Sequence, residues 1–126
     1  MRKLANWRGY NFNYGHYDNP PREGTDETDE MKKFFSDFKK FLKKELEPLR
    51  LKIYQMKRNY YDVTAVISND SEDKFLYLSL GDMRNNQNWD NHILIRQMKH
   101  SKDWTGGGNH WTNLEELAQD IKWLMR

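Results

Sequence analysis

Between Thr28 and Pro48 the apolar residues Met31, Phe34, Phe35, Phe38, Phe41, Leu42 and Leu46 recur at spacings of three and four. That period commits this stretch to an amphipathic helix with one broad apolar face that must be buried against something else. Thr25 or Thr28 can cap its start, Asp29 and Glu30 suit the positive end of the helix dipole, and Pro48 stops it. The opposite face is cationic: between Lys32 and Lys44 six Lys meet only Asp37, a net +5. At about 100° per residue Lys32, Lys39 and Lys43 form one stripe and Lys33, Lys40 and Lys44 another.

The period then changes to two. Runs at Leu49–Lys57, Tyr60–Ser68 and Phe75–Leu80 alternate as strands do, separated by Arg58-Asn59 and by the turn-forming Asn69-Asp70-Ser71. A polar connection, MRNNQNWDN, leads to a fourth strand at His92–Lys99. A loop with Gly106, Gly107 and Gly108 then opens a second helix, in which Thr112 and Glu115 match a capping box and Leu114, Leu117, Ala118, Ile121 and Leu124 form the apolar stripe. The expected fold is α+β: a four-stranded antiparallel sheet with an N-terminal and a C-terminal helix on one face, residues 25–126 forming a single domain.

Residues 1–24 precede it as an extended arm, rich in Asn, Gly, Tyr and Arg, with Pro20-Pro21 and no sustained period. The arm interleaves Trp7, Tyr10, Phe12, Tyr14 and Tyr17 with Arg2, Lys3, Arg8 and Arg22, a composition ordered either by folding back on the domain or by a partner.

Composition narrows the function classes. With 126 residues there is room for one domain and none for a separate cofactor domain. Leu, Ile, Val and Phe make up about a fifth of the chain, near the range of disordered sequences, but the net charge is only +2 and 5 Trp with 7 Tyr add large apolar bodies. The absence of cysteine excludes disulfides, thiolate metal sites and Cys nucleophiles. No run is long enough to span a bilayer, and the basic N-terminus has no apolar stretch of signal length, so a cytoplasmic protein without a membrane partner is expected. With 21 Lys and Arg against 19 Asp and Glu, the chain is not acidic enough to imitate DNA by charge.

Catalytic constellations are weak. His100, Asp103 and His110 are the densest set of metal-type ligands, but their spacing matches no known motif and a loop with exposed imidazoles explains them as well. The glycine run lacks the Lys-Ser/Thr of a phosphate-binding loop, leaving a loop with positive φ as the simpler reading, and Glu115 with Glu116 suits a helix N-terminus. No nucleophile-elbow serine is present. No catalytic residue, metal site or cofactor is assigned.

Binding surfaces are better marked. If Leu51, Ile53, Val63, Ala65, Ile67, Leu76, Leu78, Leu80, Ile93 and Ile95 face the helices, the other sheet face shows Arg50, Lys52, Tyr54, Tyr60, Phe75, Tyr77 and Arg96. Rings mixed with cations can stack bases and hold phosphates, unless the arm or a second copy of the chain, as in a homodimer, covers that face. The candidate partner-binding residues are therefore Trp7, Arg8, Tyr10 and Tyr14 of the arm, Lys32, Lys39, Lys40 and Lys43 of the helix, and the seven of the sheet face. The Lys face has a bland alternative, plain solvation.

Two resemblances follow. The stretch ILIRQMKHSKDWTGGGNHWTNLEELAQDIKWL, after its preceding strands, resembles the small single-strand-binding domains of the PC4-like coactivator family, over about residues 49–126. The arm NWRGYNFNYGHY and the helix MKKFFSDFKKFLKK make the chain similar in type to the compact proteins that phages and other mobile elements direct against host defences, the anti-CRISPR proteins among them. The latter implies a non-catalytic protein that inhibits or modulates a nuclease or ribonucleoprotein complex of the host. The former implies a single-stranded nucleic-acid binder. A small metal-dependent hydrolase on His100, Asp103 and His110 is the third expectation.

Overall fold

The computed structural model describes residues 29–59, 62–82, 89–104 and 107–126. The arm lies outside them, and with it Trp7, Arg8, Tyr10 and Tyr14; Tyr60 lies outside them too.

Helix α1 spans Asp29–Leu46. Phe34, Phe38, Leu42 and Leu46, one residue per turn on the expected face, are fully buried, and Phe35 and Phe41 flank them partly buried. Pro48 ends the helix by tightening Glu47–Leu49 into a 3₁₀ turn, whose last N–H, from Arg50, reaches the Glu47 carbonyl at 3.0 Å. Arg50 sits in the left-handed region at φ 59°. It is therefore the hinge into the sheet and not, as alternation placed it, a residue of the strand face.

The strands β1 (Leu51–Asn59), β2 (Asp62–Asn69), β3 (Phe75–Asp82), β4 (Ile93–Met98) and β5 (His110–Thr112) form one antiparallel sheet in sequence order. Helix α2 follows at Leu117–Leu124. The sheet thus has five strands where four were expected. Leu94 pairs with Trp111 and Ile93 with Thr112, so the chain after the glycine loop returns as an edge strand before turning helical. This displaces the expected capping box. Thr112 belongs to β5, and its hydroxyl donates instead to Asp120 Oδ2 at 2.5 Å. Asn113 Oδ1 accepts the Glu116 N–H at 2.8 Å, an Asx-type turn that delays the helix to Leu117. The first turn is also later than expected: Asn59 pairs with Asp62, so Arg58 and Asn59 are strand residues.

The strand faces follow alternation except at two register slips, one between β2 and β3 at Val63 and Thr64, where Leu80 is the extra residue, and the other a β-bulge between Ile53 and Gln55, where the register of β1 with β2 slips by one. The bulge turns Met56 inward, where it packs against the core with Leu51 and Ile53, and brings Gln55 opposite Val66. Tyr54 is its extra residue, on the helix-free face and 41% exposed.

Both helices and the inner sheet face share a single core: Phe34 and Phe38 from α1, Leu117 and Ile121 from α2, and Val63, Ile67, Leu76, Leu78, Ile93 and Ile95 from the sheet. Trp89, from a 3₁₀ turn inside the polar connection, is fully buried among them. Its indole meets Phe34 edge-on at 5.0 Å and Phe38 at 5.9 Å. Trp89 closes the space between helix and sheet, a role that its polar neighbours in the sequence gave no reason to expect. Among the described residues no helix is long and apolar enough to cross a membrane.

Truncating this plug should show how much of the fold hangs on it. Trp89→Ala is expected to cost about 3–5 kcal/mol, a large share of the roughly 5–15 kcal/mol that holds a small domain together. Urea denaturation measures it, with Trp123→Ala, at a position 56% exposed, expected within about 0.5 kcal/mol of the parent.

Candidate functional site

A groove of about 730 Å³ runs along the outer edge of β1. Strand order leaves that edge without a neighbouring strand among the described residues. One wall is the flank of α1 carrying Lys39 and Lys43, the upper end is Arg50 at its left-handed turn, and the floor runs from Leu51 to Met56. Lys52 and Tyr54 stand along it, and Glu47 and Asp70 are its two carboxylates. The groove thus gathers five residues that sequence reasoning had assigned to two separate surfaces, two from the helix and three from the sheet.

Each cation has a structural reason to be there. Because Phe38 and Leu42 are buried, helix geometry places Lys39 and Lys43 on the flank turned toward β1, and both are exposed. The other lysine stripe differs, since Lys33 is paired with Asp37 at 3.7 Å. Lys32 lies on the groove-side flank and Lys40 on the far one, both exposed, and neither lines the groove. Lys52 is positioned through the β2–β3 turn. Asn69 Oδ1 accepts the N–H groups of Asp73 and Lys74 at 3.0 and 3.2 Å, and the turn so formed holds Glu72 in the left-handed region at φ 57°. From there Glu72 Oε2 accepts a hydrogen bond from Lys52 Nζ at 2.6 Å. That hydrogen bond, joined by the charge of Glu72, raises the Lys52 ammonium above its ordinary value, so it stays charged.

The helix-free sheet face is only partly open. Val66, Phe75 and Met98 form a small second cluster and are buried. Tyr54 meets Phe75 edge-on at 5.2 Å, and the half-buried Tyr77 packs beside it. Arg96, expected as a phosphate contact, is 6% exposed. Its guanidinium lies 5.0 Å from the Tyr77 ring centroid and donates to the Trp104 carbonyl at 2.8 Å and the Asp103 carbonyl at 3.4 Å. Arg96 therefore binds the chain's own loop. Beyond it Gly107, at φ 82°, lies so close to β4 that a Cβ there would stand 2.7 Å from the Gln97 carbonyl oxygen. Gly107 thus serves close packing of loop on strand, and β5 stands between it and α2.

Trp104, which sequence reading did not single out, emerges from that loop with its ring edge-on to Tyr77 at 6.0 Å and 47% exposed. It borders a narrow cleft with Gln55, Lys57 and Thr64. Trp111 is exposed too, stacked on His92 at 4.1 Å. Nothing in periodicity distinguishes these indoles from core residues; only the odd strand parity of Trp111 opposite Leu94 hints at it.

The three metal-type residues have separate partners: His100 Nδ1 accepts the Lys102 N–H at 3.2 Å, Asp103 Oδ2 accepts the Lys99 N–H at 2.9 Å, and His110 Nε2 lies 3.5 Å from Asp120. Among the described residues no three His, Asp or Glu side chains gather as a metal site would require. Comparison with protein families, curated proteins and solved structures found no match to this chain.

The Arg96 tether has a measurable consequence. Arg96→Met keeps the apolar stem but leaves the Asp103 and Trp104 carbonyls without their donor, so the loop should loosen at a cost of about 1–3 kcal/mol. Amide hydrogen exchange at Asp103, Trp104, Gly107 and Gly108 should accelerate while the helix α1 amides stay protected.

Proposed function

We propose that this protein works by binding rather than by catalysis, and that its ligand is the phosphate backbone of a nucleic acid seated in the β1 groove. The supporting observation is the convergence there of Lys39, Lys43, Arg50 and Lys52 from three different elements, against two lining carboxylates and the Glu72 carboxylate that pairs with Lys52. Solvation accounts for lysines on an open helix face. It does not account for a helix flank, a left-handed turn residue and a strand residue all delivering cations into one groove. Cations lining a concave, low-dielectric wall reinforce one another's potential, which favours polyanions over single ions. Phosphate contacts of this kind position a strand without reading its sequence.

Such binding fits the expected inhibitor or modulator of a host nuclease or ribonucleoprotein complex. A protein that occupies the guide or substrate strand of such a complex withholds it from the enzyme without chemistry of its own.

Charge reversal tests the reading. The variant Lys39→Glu, Lys43→Glu, Arg50→Glu should lose at least about tenfold in affinity for a labelled oligonucleotide at low salt, about 1.4 kcal/mol. If Lys39, Lys43 and Arg50 each neutralise one phosphate, Lys52 staying paired with Glu72, the logarithm of affinity should fall with the logarithm of salt at a slope of about −2 in the parent and clearly less steeply in the variant. Reversing Lys33, Lys40 and Lys44 changes the charge equally on the other flank and should have a much smaller effect. Equal losses from both triple variants, with thermal melts intact, would assign the binding to net charge and overturn the groove.

A further inference from the structure

We infer that the groove and the helix-free sheet face act together as a site for single-stranded nucleic acid, with phosphates on the groove cations and unpaired bases stacked on Tyr54 and Trp104. This rests on the nucleic-acid reading above and adds strand selectivity to it.

Continuity carries the first part of the argument. Gln55 lines both the cationic groove and the narrow cleft beside Trp104, so the two surfaces share a wall. Register carries the second. Phe75 and Tyr77 lie two residues apart on one strand face, about 6.6 Å along β3. Tyr54 abuts the first and Trp104 the second, which sets two exposed rings along one direction beside the cations. Each ring crosses the sheet residue beside it at a near-right angle, 81° and 84°, so neither is in a parallel stack with that neighbour, and both keep exposed surface for a base to cover.

The third part is the way Trp104 is held. A guanidinium buried to 6% exposure is costly unless its hydrogen bonds are met, and those of Arg96 include the carbonyl of Trp104 itself. The fold thus fixes the backbone of an indole that it leaves half in water. Duplex DNA keeps its bases paired and stacked inside, so it could use the cations but not the rings. The ligand that uses both is a single strand.

The test is fluorescence anisotropy with a labelled oligothymidine of about 15 nucleotides, within the reach of one small domain, beside a duplex of the same length. The full chain should prefer the single strand. Tyr54→Ala and Trp104→Ala should each weaken it about five- to tenfold, the effect of losing one stacked base; Trp104→Ala, outside the groove, should leave duplex binding unchanged, and Tyr54→Ala should weaken the single strand more than the duplex. Trp104→Phe should keep most of the affinity, and Trp123→Ala, an exposed indole on α2, all of it. Equal affinity for both forms, or ring variants that bind the single strand as the parent does, would overturn the stacking site while leaving the groove's role standing. A full chain that binds neither form even at low salt would overturn the nucleic-acid reading itself, and the stacking site with it.

Discussion

The structure depends on how α1 is fastened to the sheet. Phe34 and Phe38 stack at 5.8 Å along the helix, and Trp89 meets both rings edge-on from below. Each fully buried Phe is worth roughly 2–3 kcal/mol of hydrophobic free energy, and the edge-on geometry adds a directional preference that helps fix the rotation of the helix about its axis. That rotation decides which lysines face β1. Turn α1 by one residue, about 100°, and Lys39 and Lys43 leave the edge of β1 for open solvent. The aromatic contact in the core therefore sets the charge pattern of the groove.

A second fastening acts on the opposite face of the sheet. Arg96 is buried there; its guanidinium lies against Tyr77 and bonds loop carbonyls. Gly107 allows the same loop to approach the β4 backbone more closely than any side chain would permit. Together they cover the middle of a sheet face that alternation alone would leave bare, and they bring Trp104 to the surface beside Lys57 and Gln55. The two fastenings use different physics, ring geometry in one case and charge-assisted hydrogen bonds in the other.

Much of the architecture was legible because hydrophobic period is a local property. The face of α1, the inward residues Val63, Ala65, Ile67, Leu76, Leu78 and Leu80, and the stopping role of Pro48 all follow from spacing. What escaped was set by long-range contacts. Strand β5 is three residues long, too short for alternation to register, and exists because β4 offers an edge. Trp89 sits among Asn and Asp, so no pattern marks it as core. The bulge at Tyr54 is likewise invisible in a run that alternates well enough without it. At the site, residue types were readable while their grouping was not: Lys39 and Lys43 were seen as part of one helix surface and Arg50, Lys52 and Tyr54 as part of one strand face. Their meeting in the groove required the left-handed turn at Arg50.

That groove also answers a problem every open sheet has. An unpaired edge strand invites another strand to add to it, and natural edges resist by twist, bulges and inward or flanking charge. β1 has a bulge in its middle and cations along its length, and a second copy of the chain approaching edge to edge would set Lys52 and Arg50 against their own counterparts. The features that repel a like strand are the ones that the proposed nucleic-acid site would use. On that proposal, protection of the edge and binding in the groove draw on the same residues, and a substitution that neutralises Arg50 would weaken both at once.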